Sequence, residues 1–275
     1  DENFPNMSIE KLVEYKTTQV TGFPDNSKSP EYYIKRYFVE TEYKDWYDSQ
    51  FTNDSIQNML GISNLDVSEI LTDMGYEKGR SEKYEEALVL LNLAIEYAPE
   101  NPDAHTKKGF TLGYLLEDEK AIISFNQALK IDPNYVNATF GLGDSNYFLG
   151  NFVEAKQYYE MGLELNPKDE YGLSFLGLTL SAMNDENALK YIEQSLEINP
   201  ENADLIYNKA IALNNLKKYE EAIQNLNRVI EKNPNDVDAL DFKNEILKDS
   251  GILKEQRLSS SFPQTVDSRC DLVYL

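Results

Sequence analysis

The sequence predicts an all-α solenoid: five stacked helical hairpins, a helical extension before them and a capping helix after them. Two periodic observations carry this. First, Pro99, Pro133, Pro167, Pro200 and Pro234 recur every 33 or 34 residues, each closing an amphipathic segment (AIEYAPEN, ALKIDPNY, GLELNPKD, SLEINPEN, VIEKNPND). Proline cannot continue a helix without losing a hydrogen bond and clashing with the preceding turn, so each one ends a helix. Second, small residues recur in phase. Gly75, Gly109, Gly143, Gly177 and Ala210 lie midway along each first helix, and Ala87, Ala121, Ala155, Ala188 and Ala222 early in each second one. Small side chains there let two helices approach closely while larger residues fill the seam.

The elements follow in order. Ala94, Ala128, Gly162 and Ser195 repeat the small position seven residues on, and Val229 breaks the pattern in the last unit. A glycine inside a helix costs about 1 kcal/mol relative to alanine, so its recurrence at one phase implies a packing reason. A hairpin alone cannot bury its apolar stripe, so neighbours must stack and the array needs caps. Residues 237–250 supply one at the C-terminal end: Val237, Leu240, Phe242, Ile246 and Leu247 form an apolar side, and Gly251 stops the helix. At the other end, Asp66 followed by Glu69 has capping-box spacing for the first hairpin.

This pattern resembles the tetratricopeptide repeat. The matching units run 68–101, 102–135, 136–169, 170–202 and 203–236, about three fifths of the chain. The large seam position is filled by Leu91, Phe125, Tyr159, Ile192 and Leu226. The family's tryptophan near the start of each unit is missing; Leu71, His105, Thr139, Leu173 and Ile206 stand there. The fourth unit is one residue short around Met183-Asn184-Asp185, which predicts a tightened turn.

The resemblance implies a right-handed solenoid whose first helices line a concave groove that holds a peptide. Carried over residue by residue, the groove takes Glu69, Thr72 and Tyr76 from the first unit. The second gives Asp103, Phe110 and Tyr114, and the third Phe140, Asp144, Tyr147 and Phe148. The fourth gives Tyr171, Ser174, Leu178 and Ser181, and the fifth Asp204 and Tyr207. The groove has five positions in each of the five units, these residues among them, and eight of the 25 are aromatic against 12% of the chain, an excess that asks for a covering partner. With Glu69, Asp103, Asp144 and Asp204 at the rim, the groove fits a peptide with apolar anchors and basic flanks. Burial of Tyr114 and Phe148 against adjacent first helices is the opposing reading.

The carboxylate clamp of the chaperone-binding branch of the family is missing. Thr72 and Tyr76 stand where its first Lys and Asn would be, and Asn208 falls in another unit. No measurable affinity for an acidic EEVD-type C-terminal peptide is therefore expected in a binding titration; appreciable affinity would refute this.

Residues 1–67 lie outside the repeat. Residues 21–30 read as loop, and Ser29-Pro30-Glu31 as a helix start with proline at the first helical position. A helix dense in aromatics follows (Tyr32, Tyr33, Tyr37, Phe38, Tyr43, Trp46, Tyr47, Phe51), then a short one from Ser55 to Leu60 ending at Gly61. These aromatics are expected to cap the first repeat; a separate dock for assembly into a surface complex is the alternative. Tyr33, Arg36, Tyr37, Glu40, Tyr43, Lys44, Trp46, Tyr47 and Asp48 also resemble a short element found after the leader in exported archaeal proteins, which implies an extracytoplasmic location. A cytoplasmic one stays open. N-x-[ST] acceptors stand at Asn6, Asn53 and Asn137. The chain opens on Asp1, which reads as a mature product that a leader or anchor can have preceded. Residues 251–275 form a tail with a linker-like SSSFP, an apolar end and the single Cys270. It is expected to hang free or to pack on its own domain, with groove docking as the minority reading.

Composition narrows the function classes. With 48 acidic and 26 basic residues the formal charge is −22, which disfavours nucleic acid and anionic membranes and favours cationic partners. No window approaches the roughly 18 apolar residues of a membrane helix. One cysteine and one histidine provide no zinc cluster. His105 reads as a half-buried structural histidine. Asp236, Asp238 and Asp241 lack EF-hand spacing, and Gly141-Leu142-Gly143 falls inside a helix rather than in a phosphate loop. The reading is a protein-binding scaffold with no cofactor, no metal and no catalytic role, in an oligomeric state the sequence leaves open. A small apolar ligand in the groove is a further alternative.

Overall fold

The structure, a computed structural model, describes residues 25, 27–52 and 54–249. Asn6, Asn53, Gly251, Cys270 and the tail lie outside them. Within these residues the chain forms fourteen α-helices. The predicted all-α repeat architecture is present, as helices in consecutive packed pairs. The chain divides into two compact units, one up to Leu149 and one from Gly150.

The first unit opens with α1 (Pro30–Val39), α2 (Thr41–Gln50) and α3 (Ile56–Leu60). Ser29 caps α1 by accepting from the Tyr32 amide, with Pro30 at the first position. The single aromatic helix expected from the sequence is broken at Glu40, whose backbone is extended (φ −101°, ψ 101°). The carboxylate of Glu40 turns back onto Arg36, accepting from Nε at 2.9 Å and Nη2 at 2.7 Å. The break lets α2 fold against α1, and the Arg36 guanidinium lies 4.4 Å from the Tyr43 ring centroid. Tyr37 donates to Asp48 Oδ1 at 2.9 Å, and Lys44 pairs with the same carboxylate. The element thus ties itself together. Its buried Tyr33, Ile34, Tyr43, Tyr47 and Ile56 share one core cluster with Val67, Leu71 and Met74 of the first hairpin.

Four hairpin helices and α8 complete this unit: α4 (Asn64–Arg80), α5 (Tyr84–Tyr97), α6 (Pro102–Tyr114), α7 (Asp118–Ile131) and α8 (Val136–Phe148). The start of α4 corrects the sequence reading. The capping box is Ser63 with Asp66, not Asp66 with Glu69: the Asp66 amide donates to Ser63 Oγ at 3.1 Å and the Ser63 amide to Asp66 Oδ2 at 2.7 Å. The reciprocal pair satisfies two orphan donors and begins the helix a turn earlier. Asn101 caps α6 and also donates from Nδ2 to Ser68 Oγ on α4 at 2.9 Å. At the seam, Phe125 on α7 is fully buried. A Cβ added at Gly109 on α6, or at Gly141 on α8, would land on its ring. Gly141 was missed as a packing glycine because it lies two residues before the repeating phase.

The second unit holds α9 (Phe152–Leu165), α10 (Glu170–Ala182), α11 (Ala188–Ile198), α12 (Ala203–Asn215), α13 (Tyr219–Lys232) and α14 (Val237–Asp249). The short fourth repeat does not tighten its turn. The Asp185 amide donates to the Leu180 carbonyl at 2.9 Å, the same closure as Lys218 to Leu213 at 2.8 Å. Asn184 is left-handed (φ 57°), like Lys217 (φ 60°). The deletion instead removes the first turn of the second helix: α11 has 11 residues where α9 and α13 have 14. The turn bonds close a fixed ring, whereas a helix end can start late. At the C-terminal end α14 packs Ala239 and Ile246 on Ile206, Leu213, Leu226 and Val229. Val237, expected on that apolar side, is 65% exposed; Ala239 takes the contact.

Candidate functional site

In the first unit the predicted groove residues separate into accessible and buried groups. Tyr76 is 48% exposed and Tyr114 70%, with Phe148 at 68%; Glu69 is exposed and Phe110 half-buried. Burial of Tyr114 and Phe148 by neighbouring helices, the opposing reading, is thus not found. Phe140 is only 4% exposed and Thr72 is buried, so neither offers a surface to a partner. Phe110 meets Phe125 edge-on at 5.0 Å, which draws it toward the seam. Tyr114, the last residue of α6, stacks on Tyr84 at the start of α5 with centroids 5.4 Å apart and an 11° interplanar angle. Tyr147 is partly buried and packs edge-on against Phe148 at 5.5 Å; burial raises the pKa of its hydroxyl. Asp144 on α8 is intermediate in burial. Tyr114 and Phe148 thus stand at the ends of their first helices, beside the inter-helix turns, and Tyr76 one turn before the end of α4.

The acidic rim is partly neutralised. Lys107 on α6 pairs with Asp103 at 2.8 Å and Asp73 at 3.2 Å. Tyr135 donates to Asp103 Oδ1 at 2.9 Å. Burial opposes the charge on Lys107, but the two carboxylates outweigh it and its pKa is raised. Burial, then the Asp103 charge, pushes the Tyr135 hydroxyl well above the usual tyrosine value. The Lys107 ammonium also lies 5.0 Å from the Tyr76 ring centroid, with the Arg80 guanidinium at 6.0 Å. Sequence reasoning missed Lys107, Asp73, Tyr135 and Tyr84. A signal existed: Lys107 falls four residues after Asp103 and at the same repeat position as Asp73.

In the second unit the equivalent face is largely closed. Ser174, Leu178 and Ser181 on α10 are buried. Asn208 and Asn215 on α12 donate from Nδ2 to Ser174 Oγ and Ser181 Oγ, both at 3.0 Å. Asn208 is thus engaged within the fold. Tyr171 is 40% exposed and stacks on Phe175 at 4.4 Å. Tyr207 is half-buried against Phe242 at 5.9 Å, and Asp204 is exposed.

His105 is buried, and its Nε2 lies 2.9 Å from the Pro99 carbonyl, so that nitrogen carries the proton and donates. Burial lowers its pKa below the usual 6.5, with Lys108 adding to this and the Pro99 bond opposing it. A depressed histidine pKa means that the unfolded chain binds the proton more readily, so stability falls as pH drops below 6.5. Chemical denaturation at pH 7.5 and pH 5 should show a smaller acid loss in His105→Gln than in the parent chain; equal losses would exclude His105 as a contributor. Among the described residues no group of three or more His, Cys, Asp or Glu side chains is placed to hold a metal ion. No helix there is long and apolar enough to cross a membrane.

Comparison with known proteins bears on the repeat fold. Tetratricopeptide repeat family models match residues 102–135, 137–169 and 186–246. These stretches are tetratricopeptide repeats, units that stack into binding surfaces in interaction scaffolds. Human protein O-mannosyl-transferase TMTC3 is 26% identical over 241 residues, covering 80% of this chain and 26% of that protein. The TPR repeat-containing protein MJ1345 of Methanocaldococcus jannaschii is 37% identical over 71 residues, 26% of this chain and 22% of that one. The chain thus spans about a quarter of the length of these curated relatives. Among solved structures, the thermophilic TPR protein TTC0263 of Thermus thermophilus superposes with a TM-score of 0.59 at 17% identity, over 66% of this chain and 98% of that one. Pseudomonas aeruginosa pilF gives 0.56 at 20% identity, over 72% and 94%. At these identities the likeness is one of fold.

Proposed function

We propose that this chain is a non-catalytic protein–protein interaction scaffold that holds a peptide segment with apolar anchors and basic flanks. The observation that carries this reading is the pair Tyr114 and Phe148, which occupy the same repeat position 34 residues apart and are both about 70% exposed. Large aromatics left in water at a recurring position are costly unless a partner covers them. The net charge of −22, with Glu69 exposed in the same unit, supports basic flanks. The packing of the N-terminal aromatics into the first hairpin's core supports their role as a cap over their use as a dock.

The test uses short peptides that carry a leucine or phenylalanine pair flanked by lysines, titrated against the chain and against Tyr114→Ser/Phe148→Ser. The double variant should lose at least about tenfold in affinity, as expected for hot-spot aromatics, while its melting temperature changes little. Unchanged affinity, or a preference for acid-flanked peptides, would overturn the reading. Phe140→Ala is unsuitable as a probe, because its ring is buried and its loss would unfold before it informed on binding.

A further inference from the structure

In the first unit the engaged groups and the open ones differ in kind. Two carboxylates are engaged: Asp103 accepts from Lys107 and Tyr135, and Asp73 accepts from Lys107. The tyrosine hydroxyls nearby are not. Those of Tyr76, Tyr84 and Tyr114 form no hydrogen bond with a described residue. Tyr114 gives one ring face to Tyr84 and is still 70% exposed, so its other face is open. Phe148, 68% exposed, holds the same repeat position on α8, and α8 packs beside α6. These four residues therefore offer a partner hydrogen-bond donors and aromatic surface.

We propose that the peptide held here is a proline-rich segment in the polyproline II conformation, an inference that rests on the peptide-scaffold reading above. A polyproline II chain has no internal hydrogen bonds, so its carbonyls are free to accept from the tyrosine hydroxyls. Its prolines carry no N–H and ask for no acceptor in return. The spacing fits as well. Packed neighbouring helices lie about 8–10 Å apart, and polyproline II returns to one face every three residues, about 9 Å. Residues i and i+3 of the segment can thus meet Tyr114 and Phe148 in turn. A strand returns to one face about every 6.6 Å and misses this spacing. An α-helix reaches it over two turns, but its carbonyls are bonded within the helix. Aromatic surfaces of this kind recognise proline-rich segments, whose conformation is largely formed before binding.

The experiment titrates the full chain by calorimetry with two peptides that share the same lysine flanks. One has a run of prolines between the flanks; the other has leucines at i and i+3 in a glycine-serine background. The proline peptide should bind at least about tenfold tighter, because its conformation costs less to fix. Tyr84→Phe/Tyr114→Phe keeps both rings and removes both hydroxyls. It should weaken the proline peptide about fivefold, the scale of a net hydrogen bond, and leave the leucine peptide unchanged. If the leucine peptide binds and the proline peptide binds no tighter, the inference is overturned and the scaffold reading stands. If neither binds, both are overturned. A proline peptide indifferent to the double variant, or an equal loss for both peptides, also overturns the inference, with circular dichroism confirming intact helix.

Discussion

Replacing Phe125 with alanine should destabilise the first unit by about 3–5 kcal/mol, the usual range for deleting a fully buried phenylalanine. The ring is wedged between Gly109 of its own hairpin and Gly141 of the following helix, and it meets Phe110 edge-on at 5.0 Å. The opposite change, Gly141→Ala, should cost about 1–3 kcal/mol by overpacking, because the new methyl meets the ring. The two substitutions should not be additive. In the Phe125→Ala background the methyl enters the vacated space, so Gly141→Ala should become nearly neutral there. Urea denaturation followed by helical circular dichroism supplies all four corners of this cycle. Additive losses would show that the two sites do not share one contact.

Glycine at three turn positions should stabilise the chain by about 2 kcal/mol in total. Glu82, Leu116 and Lys217 each sit two residues beyond the end of a first helix with φ near +60°. The left-handed conformation costs a non-glycine residue roughly 1–2 kcal/mol, and glycine's greater freedom when unfolded cancels about half of that. Leu116 is 85% exposed, so its side chain has little packing to lose. Gly150 occupies the equivalent position at φ 78° and provides the reverse control: Gly150→Ala should destabilise. Asn184→Gly should gain least, since asparagine tolerates this conformation. No rise in the urea midpoint for Glu82→Gly/Leu116→Gly/Lys217→Gly would mean that the turns relax around their side chains.

Most of the fold was legible because the signals that specify it are local and repeated. The five prolines end helices by their own covalent geometry, whatever surrounds them. The seam residues Leu91, Phe125, Tyr159, Ile192 and Leu226 could be placed by phase, and all five are buried. The misplaced features depend on a partner distant in sequence or on a choice between near-equal local options. The aromatic helix breaks at Glu40 because its carboxylate folds back onto Arg36 under Tyr43. Its composition alone carries no breaker. The cap at Ser63 prevailed over that at Asp66 because the Asp66 side chain is spent on the reciprocal bond to Ser63.

The candidate site was less legible than the fold. Repeat phase told which residues stand at equivalent positions, and it singled out Tyr76, Tyr114, Phe148 and Tyr171, which do reach solvent. It could not tell Tyr76 from Leu178, which shares its phase and is buried, nor show that Phe140 and Ser174, at another groove phase, are buried. Nor could it show that Asp103 is engaged by Lys107 and Tyr135. By itself, then, the sequence determined the repeat, its period and its seam, since proline geometry and side-chain size act within one hairpin. Only the tertiary structure decided which aromatics and carboxylates remain available, because exposure and charge pairing are set by what the neighbouring helix places opposite each residue.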